Sequence, residues 1–129
     1  MFNGWCKRSF SFIDIIFRIL QKKEDVLYQN TRKFILSKEN PYYYQGTCAS
    51  GIGSPHTPNN YIWHIALTMQ GLTGDKEEAK RMINLILKTD NEEGFCYEGF
   101  DKDDPSHYMK SWFAWANSLF TELVYKTYF

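Results

Sequence analysis

The residues of this chain with the clearest potential for chemistry lie between positions 90 and 110, in the stretch DNEEGFCYEGFDKDDPSHYMK. Most carboxylates there occur in runs, which is typical of a solvated surface. Glu98 differs because Tyr97, Gly99 and Phe100 surround it. Aromatic surroundings can shift the pKa of a carboxyl group, so Glu98 is a candidate general acid or base. The competing interpretation is a structural glutamate that happens to neighbour aromatic residues.

A second candidate is the stretch GIGSPHTPNNYIW at residues 51–63, a loop rich in Gly and Pro that carries one histidine. His56 without a second ligand at a useful spacing predicts no metal site. It is either a turn residue bonded to backbone or a hydrogen-bonding partner for a hydroxyl-rich ligand, held rigid by Pro55 and Pro58. His64 falls in a predicted helix, where we expect a structural histidine with satisfied hydrogen bonds. No phosphate loop or nucleophile elbow is present in the sequence.

The composition excludes several classes of function. The chain has 129 residues, a formal net charge of zero and 18% aromatic residues. Without a basic stripe, nucleic acid is not an expected partner. Abundant aromatics suit a large core or a surface on which sugars stack. Three widely spaced cysteines, Cys6, Cys48 and Cys96, predict free thiols in a reducing compartment, so we expect a cytoplasmic protein.

The N-terminal apolar run SFSFIDIIFRIL is interrupted by Asp14 and Arg18. It is too short for a membrane span, and no small-residue cleavage site follows it. We therefore predict neither a signal peptide nor a membrane interaction.

The elements that position these candidates are predicted to be helices at residues 24–37, 61–72, 76–89 and 111–126, because apolar residues recur there at helical spacing. Asp75 followed by Glu78 predicts a helix cap. No segment of useful length alternates with the period of a strand. The predicted fold class is all-α, built from antiparallel helical hairpins. Antiparallel neighbours place the two long loops, at residues 41–60 and 90–110, at the same end.

Two predicted helices carry apolar faces that we expect to be buried. The third helix presents one such face, made of Ala79, Met82, Ile83, Ile86 and Leu87. The last helix presents two, made of Phe113, Ala116, Phe120 and Leu123 on one side and of Trp112, Trp115 and Leu119 on the other. A helix with two apolar faces is predicted to be buried on two sides.

Four segments, in order, resemble one known family: YQNTRKFILSKENPYYYQG, GIGSPHTPNNYIW, LTMQGLTGDKEEA and SWFAWANSLF. Together they resemble the C-terminal third of glycoside hydrolase family 125, the metal-independent exo-α-1,6-mannosidases. The resemblance implies part of an (α/α)6 toroid with its site at one end. It also implies hydrolysis with inversion, no cofactor and no metal, and an α-linked mannoside or mannose-containing glycan as the partner.

The resemblance also assigns site residues. The segment GFCYEGF lies where the family has its general base, and Glu98 is the matching position. The GIGSPHTP loop is similar to the family's sugar-pocket wall, which implies substrate contacts for Ser54, His56 and Thr57. Lys110 and Trp112 are further implied substrate-binding residues, although Met109-Lys110 stands where the family usually has Thr-Arg. Lysine does not reproduce the bidentate fork of arginine.

The resemblance predicts two regions in the chain. Residues 21–129 match the C-terminal part of the glycosidase domain, whereas residues 1–20 match nothing in frame. If the possible codons of this segment are read one nucleotide later, they can encode a sequence similar to that of the family. We therefore predict that residues 1–20 are an out-of-frame translation of family codons.

The family's general acid lies upstream of the matched region, so the chain alone is expected to be inactive. Two alternatives remain open. One is a small helical carbohydrate-binding or interaction module. The other is half of a split mannosidase, completed by a separately encoded N-terminal portion.

Overall fold

A computed structural model describes residues 26–129, and in that part of the chain it shows four helices and five short strands. The helices are α1 (Val26–Ile35), α2 (His64–Thr73), α3 (Lys76–Lys88) and α4 (Ala114–Tyr128). The strands are β1 (Tyr43–Gln45), β2 (Ser50–Ile52), β3 (Tyr61–Ile62), β4 (Gly99–Asp101) and β5 (Tyr108–Met109). The chain divides into two compact units, and the second, Ile35–Phe129, holds every element from β1 onward.

The core of this second unit is a three-helix arrangement in which α4 packs against the α2–α3 hairpin. Gly71 permits the close approach of α2 and α4, since a Cβ at that position would lie 3.0 Å from both terminal methyls of Leu123. The turn between α2 and α3 ends at Asp75, whose Oδ1 accepts the N–H of Glu78 at 2.8 Å. The predicted cap of α3 is therefore confirmed.

The prediction of an all-α fold is correct only in part, because two small antiparallel sheets accompany the four helices of the described residues. One is the β1–β2 hairpin, and the other has the order β3–β4–β5. Tyr61 and Ile62, predicted as the start of a helix, form β3 and pair with Asp101 and Phe100 of β4. Strands of two or three residues are too short to show alternation in the sequence, so the pattern could not indicate them.

The prediction that both long loops lie at the same end is confirmed by these sheets. Strand β3 closes the first loop and β4 lies within the second, so their pairing joins the two loops directly. The carbonyl of Lys102 also accepts the backbone N–H groups of Cys48 and Ala49, at 3.1 and 3.0 Å. In return, the Lys102 N–H donates to the carbonyl of Asn60 at 2.9 Å. The backbone thus fixes the first loop against the second.

The burial of residues on α3 and α4 agrees with prediction on the faces that contact the core and differs from prediction elsewhere on these helices. Four of the five predicted residues of α3 are buried, but Leu87 is 54% exposed. On α4, Ala116 and Leu123 are buried as predicted. The prediction that the second face is buried is wrong for Trp112 and Trp115, which are 61% and 71% exposed, whereas Leu119 is half-buried.

Within residues 26–129, no helix combines the length and the apolar character needed to cross a membrane. The predictions for residues 1–20, including the status of Cys6, lie outside the described residues.

Candidate functional site

Glu98 lies at the joined end of the two loops, immediately before β4. Its backbone N–H donates to the carbonyl of Met109 at 3.1 Å, which extends the β4–β5 pairing. Its side chain is only 15% exposed, and Oε2 lies 2.9 Å from Nζ of Lys110. The sheet therefore fixes the backbone of Glu98, and an ion pair orients its carboxylate.

Lys110 follows β5 with a backbone φ of 49°, in the left-handed region that few non-glycine residues adopt. From there its ammonium group reaches Glu98 and also lies 5.9 Å from the ring centroid of Phe113, a cation–π contact. Of the predicted substrate-binding residues, Lys110 is the one with a direct contact to Glu98. The role predicted for Lys110 in substrate binding stays a prediction.

The His56 loop is a compact turn held by its own hydroxyl groups. The N–H of His56 donates to Oγ of Ser54 at 3.1 Å. Oγ1 of Thr57 donates to the carbonyl of Ser54 at 3.2 Å. Ser54 and Thr57 are buried, whereas the His56 side chain is exposed. The loop therefore presents the imidazole of His56 to solvent and uses both hydroxyls to maintain the turn.

This turn approaches the backbone beside Glu98. A Cβ placed on Gly99 would lie 3.5 Å from the methyl carbon of Thr57 and 3.4 Å from Cδ1 of Trp63. The indole Nε1 of Trp63 is buried and has no hydrogen-bond partner among the described residues. Trp63 is a residue that sequence reasoning missed. Its one sequence signal was an aromatic side chain at the boundary between the loop and α2.

Trp112 is predicted to bind substrate and lies two residues after Lys110, largely exposed. The structure records no contact between its side chain and Glu98. Its role stays a prediction, as do those of Ser54, His56 and Thr57.

His64 is a structural histidine that is buried in the core and holds the backbone of Tyr97, the residue before Glu98. The N–H of Tyr97 donates to Nδ1 of His64 at 2.8 Å, so Nδ1 is the unprotonated nitrogen. Nε2 therefore carries the hydrogen and donates to Oγ1 of Thr89, at 2.9 Å. Burial lowers the pKa of His64 to about 3, so the ring is neutral at physiological pH. The prediction for this residue is confirmed.

The other ionisable side chains next to Glu98 in sequence are inert at neutral pH. Burial raises the pKa of the Tyr97 hydroxyl to about 12. That hydroxyl donates to the carbonyl of Asp90 at 2.6 Å, and its ring stacks on Tyr108 with centroids 4.0 Å apart. Burial, with a smaller contribution from the carboxylate of Asp90, raises the pKa of the Cys96 thiol to about 12. Cys96 and Tyr97 are thus protonated at neutral pH, and the role of Glu98 as the base stays a prediction.

Among residues 26–129, no three His, Cys, Asp or Glu side chains are grouped in a way that could hold a metal ion. The chemistry open to this end of the unit is that of an oriented carboxylate beside a cation, with hydroxyl, imidazole and indole groups on the adjoining turn.

The family described as metal-independent alpha-mannosidase (GH125) matches residues 11–125. The chain therefore belongs to this family of glycoside hydrolases. The match begins inside the segment of residues 1–20 that was predicted to be out of frame, and that prediction stays untested.

Two relatives show how much of such a protein is present. A metal-independent α-mannosidase from Streptococcus pneumoniae, solved in a non-productive substrate complex with α-1,6-mannobiose, is 50% identical with a TM-score of 0.79. The match covers 81% of this chain and 25% of that one. The "Meiotically up-regulated gene 157 protein" of Schizosaccharomyces pombe is 39% identical over 105 residues, which are 80% of this chain and 21% of that protein. The chain thus spans a quarter or less of the length of either relative.

Proposed function

We propose that this chain carries the general-base part of the site of an inverting exo-α-1,6-mannosidase, with Glu98 as the base. The observation that carries the proposal is the position of Glu98. Its carboxylate is 15% exposed, is paired with Lys110 at 2.9 Å and lies where the two long loops join. Membership of the α-mannosidase family and the mannobiose complex of the S. pneumoniae relative support the choice of substrate.

In this mechanism Glu98 removes a proton from the attacking water. The water adds to the anomeric carbon from the face opposite the departing oxygen, and a general acid protonates that oxygen. Lys110 holds Oε2 of Glu98, which leaves Oε1 to accept the proton. The two carboxyl groups of an inverting glycosidase stand about 6.5–9.5 Å apart, which leaves room for the water.

We propose that the general acid comes from helices outside this chain, and that residues 26–129 form one part of an (α/α)6 toroid. The resemblance to the family supports an acid upstream of the matched region. The exposed imidazole of His56, held by the Ser54 turn, is proposed to bind a sugar hydroxyl. In this proposal the chain alone hydrolyses no mannoside, because a base without an acid leaves the departing oxygen unprotonated.

The test uses a hybrid enzyme, in which the region of the S. pneumoniae mannosidase matched by this chain is replaced with this chain's own residues. The measurement is mannose release from α-1,6-mannobiose. Glu98→Gln keeps the size of the side chain but cannot accept a proton, so kcat should fall by at least about 100-fold. The isolated chain should release no mannose above background.

The matched control is His56→Ala in the same hybrid. Loss of a hydroxyl contact should raise KM and leave kcat nearly unchanged, because His56 takes no part in the proton transfer. If His56→Ala abolishes turnover while Glu98→Gln is nearly silent, the base has been assigned to the wrong loop. Turnover by the isolated chain that disappears in Glu98→Gln would show that a local carboxylate supplies the acid.

A further inference from the structure

The segment just before β4 is buried although its backbone is irregular. Cys96 and Tyr97 belong to no helix or strand, yet they are only 2% and 0% exposed. Buried backbone N–H groups need acceptors, since an unpaired group costs about as much free energy as a lost hydrogen bond. In this segment the acceptors are side chains of two distant helices. The chain that leads to Glu98 is therefore held from outside the sheet.

Asn117 on α4 holds Cys96 with both polar atoms of its side chain. Its Oδ1 accepts the N–H of Cys96 at 3.1 Å. Its Nδ2 donates to the carbonyl of Phe113 at 2.9 Å and to the carbonyl of Cys96 at 3.5 Å. The Cys96 carbonyl also accepts the N–H of Phe113, at 2.9 Å. The start of α4 and the segment before Glu98 are thus joined at both the N–H and the C=O of one residue.

The consecutive N–H groups of residues 96–98 are held by three different elements. Their acceptors, in that order, are Oδ1 of Asn117 on α4, Nδ1 of His64 on α2 and the carbonyl of Met109 on β5. Glu98 is the last of the three residues. A backbone held at three successive points leaves mainly the side-chain torsions of Glu98 free, and the ion pair with Lys110 restricts those.

We propose that Asn117 is a positioning residue for Glu98 in the proposed reaction, acting through the backbone of Cys96. The inference rests on the proposed function, because it concerns the same base. A catalytic group must be held within about 0.5 Å of its productive position, and a displacement of about 1 Å can cost about 100-fold in rate. In this role Asn117 transfers no proton and keeps the peptide that leads to Glu98 in place.

The first experiment measures mannose release from α-1,6-mannobiose by variants of the hybrid enzyme. Asn117→Leu keeps the approximate shape of the side chain but removes its acceptor and its donor. Its kcat should fall by about ten- to a hundredfold, while KM changes by less than about threefold. Asn117→Asp keeps an acceptor for the Cys96 N–H and loses the donor, so its kcat should lie between those of Asn117→Leu and the unmodified hybrid.

The matched control is Thr127→Ala, because Thr127 lies on the same helix and is 5% exposed. Its Oγ1 donates to the carbonyl of Leu123 at 2.6 Å, so this variant also loses a hydrogen bond from a side chain to the backbone. Thr127 lies about 15 Å further along α4 than Asn117, at the helical rise of about 1.5 Å per residue. Thr127→Ala should lower the Tm and leave kcat within about twofold. A merely structural Asn117 would give the same pattern.

The second experiment measures amide hydrogen exchange of the full chain by NMR and needs no substrate. The Cys96 amide should exchange at least about tenfold faster in Asn117→Leu, because its acceptor is lost. The amide of Ile83, in the middle of α3, should change by less than about threefold. Thr127→Ala should leave the Cys96 amide as protected as it is in the unmodified chain.

The two readouts separate failure of this inference from failure of the proposed function. Faster exchange at Cys96 with an unchanged kcat would overturn the positioning role and leave Glu98 as the base. So would equal losses of kcat in Asn117→Leu and Thr127→Ala, or an unchanged exchange rate at Cys96. If Glu98→Gln retains turnover, the base is wrongly assigned and the positioning role fails with it, whatever the exchange rates are.

Discussion

At the scale of single residues, the pairing of Glu98 with Lys110 is the central feature of the candidate site. The Lys110 side chain is largely exposed, so the ion pair contributes little to folding stability. Its value lies in orientation, because the ammonium group holds one carboxylate oxygen and leaves the other for water. Lys110 is thus proposed as a positioning residue for Glu98.

Replacing Lys110 with Met in the hybrid enzyme should lower kcat by roughly ten- to a hundredfold, since a misplaced catalytic group costs about that much. Lys110→Arg keeps the charge and presents a planar fork of N–H donors in place of the ammonium group, so it should retain most of the activity. Steady-state kinetics on α-1,6-mannobiose measure both effects, and urea unfolding should show nearly equal stabilities. A Lys110→Met enzyme with full kcat would show that Glu98 needs no such partner.

His64 supplies a prediction about acid stability. Its folded-state pKa of about 3 lies below the ordinary value of 6.5, so between these values the unfolded chain binds a proton that the folded chain does not. The free energy of unfolding should therefore decrease as the pH falls from 6.5 towards 3, by about 1.4 kcal/mol per pH unit from this residue. Above pH 6.5 the imidazole is neutral in both states and contributes no slope.

The variant His64→Gln isolates this effect, because Gln does not titrate and all other groups are shared. Urea unfolding between pH 7 and pH 4 should give a shallower pH dependence for the variant, with a difference approaching one proton. Parallel curves for the two proteins would show that His64 is protonated in the folded state.

At the scale of elements, the site depends on two loops that short strands join. The helices and the cap at Asp75 were predictable, since helical spacing and capping residues are local signals. Strands β3, β4 and β5 were not, because their stability comes from pairing between distant segments. Leu87 shows the same limit, since periodicity placed it on the buried face and only the three-dimensional packing shows that it is exposed.

The candidate site was also predictable only in part. Residue types and the family resemblance indicated Glu98 and the His56 turn, but neither could indicate the contact between Glu98 and Lys110. That contact joins residues 12 positions apart, and Lys110 has a left-handed backbone that the sequence does not indicate. Trp63 was missed because its relevance comes from its packing beside Gly99 and from the unpaired Nε1, and neither has a sequence pattern.

Substitution of Gly53 tests how tightly the first long loop, residues 41–60, is fixed. A Cβ at this position would clash with the carbonyl oxygen of Tyr61 and would lie 2.7 Å from Cε2 of Tyr44. Gly53→Ala should therefore force β3 away from the β1–β2 hairpin and lower the free energy of unfolding by about 1–3 kcal/mol. Chemical denaturation of the full chain measures this loss.

Gly94→Ala is the control for this change. Gly94 has a φ of 74°, and a Cβ added there would meet no atom within 4 Å, so only backbone strain of roughly 1 kcal/mol should result. If Gly53→Ala costs no more than Gly94→Ala, the first loop adapts more easily than its contacts indicate.

At the scale of the whole molecule, most of the described residues lie in the compact unit Ile35–Phe129, and the relatives of this chain are much longer proteins. The core face of α4 is buried inside this unit, whereas Trp115 and Tyr125 on the other side of the helix are largely exposed. Composition and helical spacing predicted two apolar faces on the last helix, of which the second was Trp112, Trp115 and Leu119. They could not predict which face is covered within this chain, because that depends on how the helices of the larger domain are arranged.

Deleting residues 1–20 tests the prediction that this segment is out of frame. A segment that was never selected to pack against the domain should contribute little, so the free energy of unfolding of the Ile35–Phe129 unit should change by less than about 1 kcal/mol. Urea denaturation of the full and shortened chains measures the difference. A loss of about 2–5 kcal/mol, the size expected when large buried side chains are removed, would contradict the prediction.

The pairing of β3 with β4 also has a consequence for the order of folding that we expect. Ile62 and Phe100 are partners in the sheet, and the whole α2–α3 hairpin lies between them in the chain. The hairpin needs only local contacts, whereas the sheet closes a long loop at an entropic cost. We therefore expect the helices to form first and the sheet to follow. Glu98, which lies at the start of β4, would then reach its final position only in the last stage of folding.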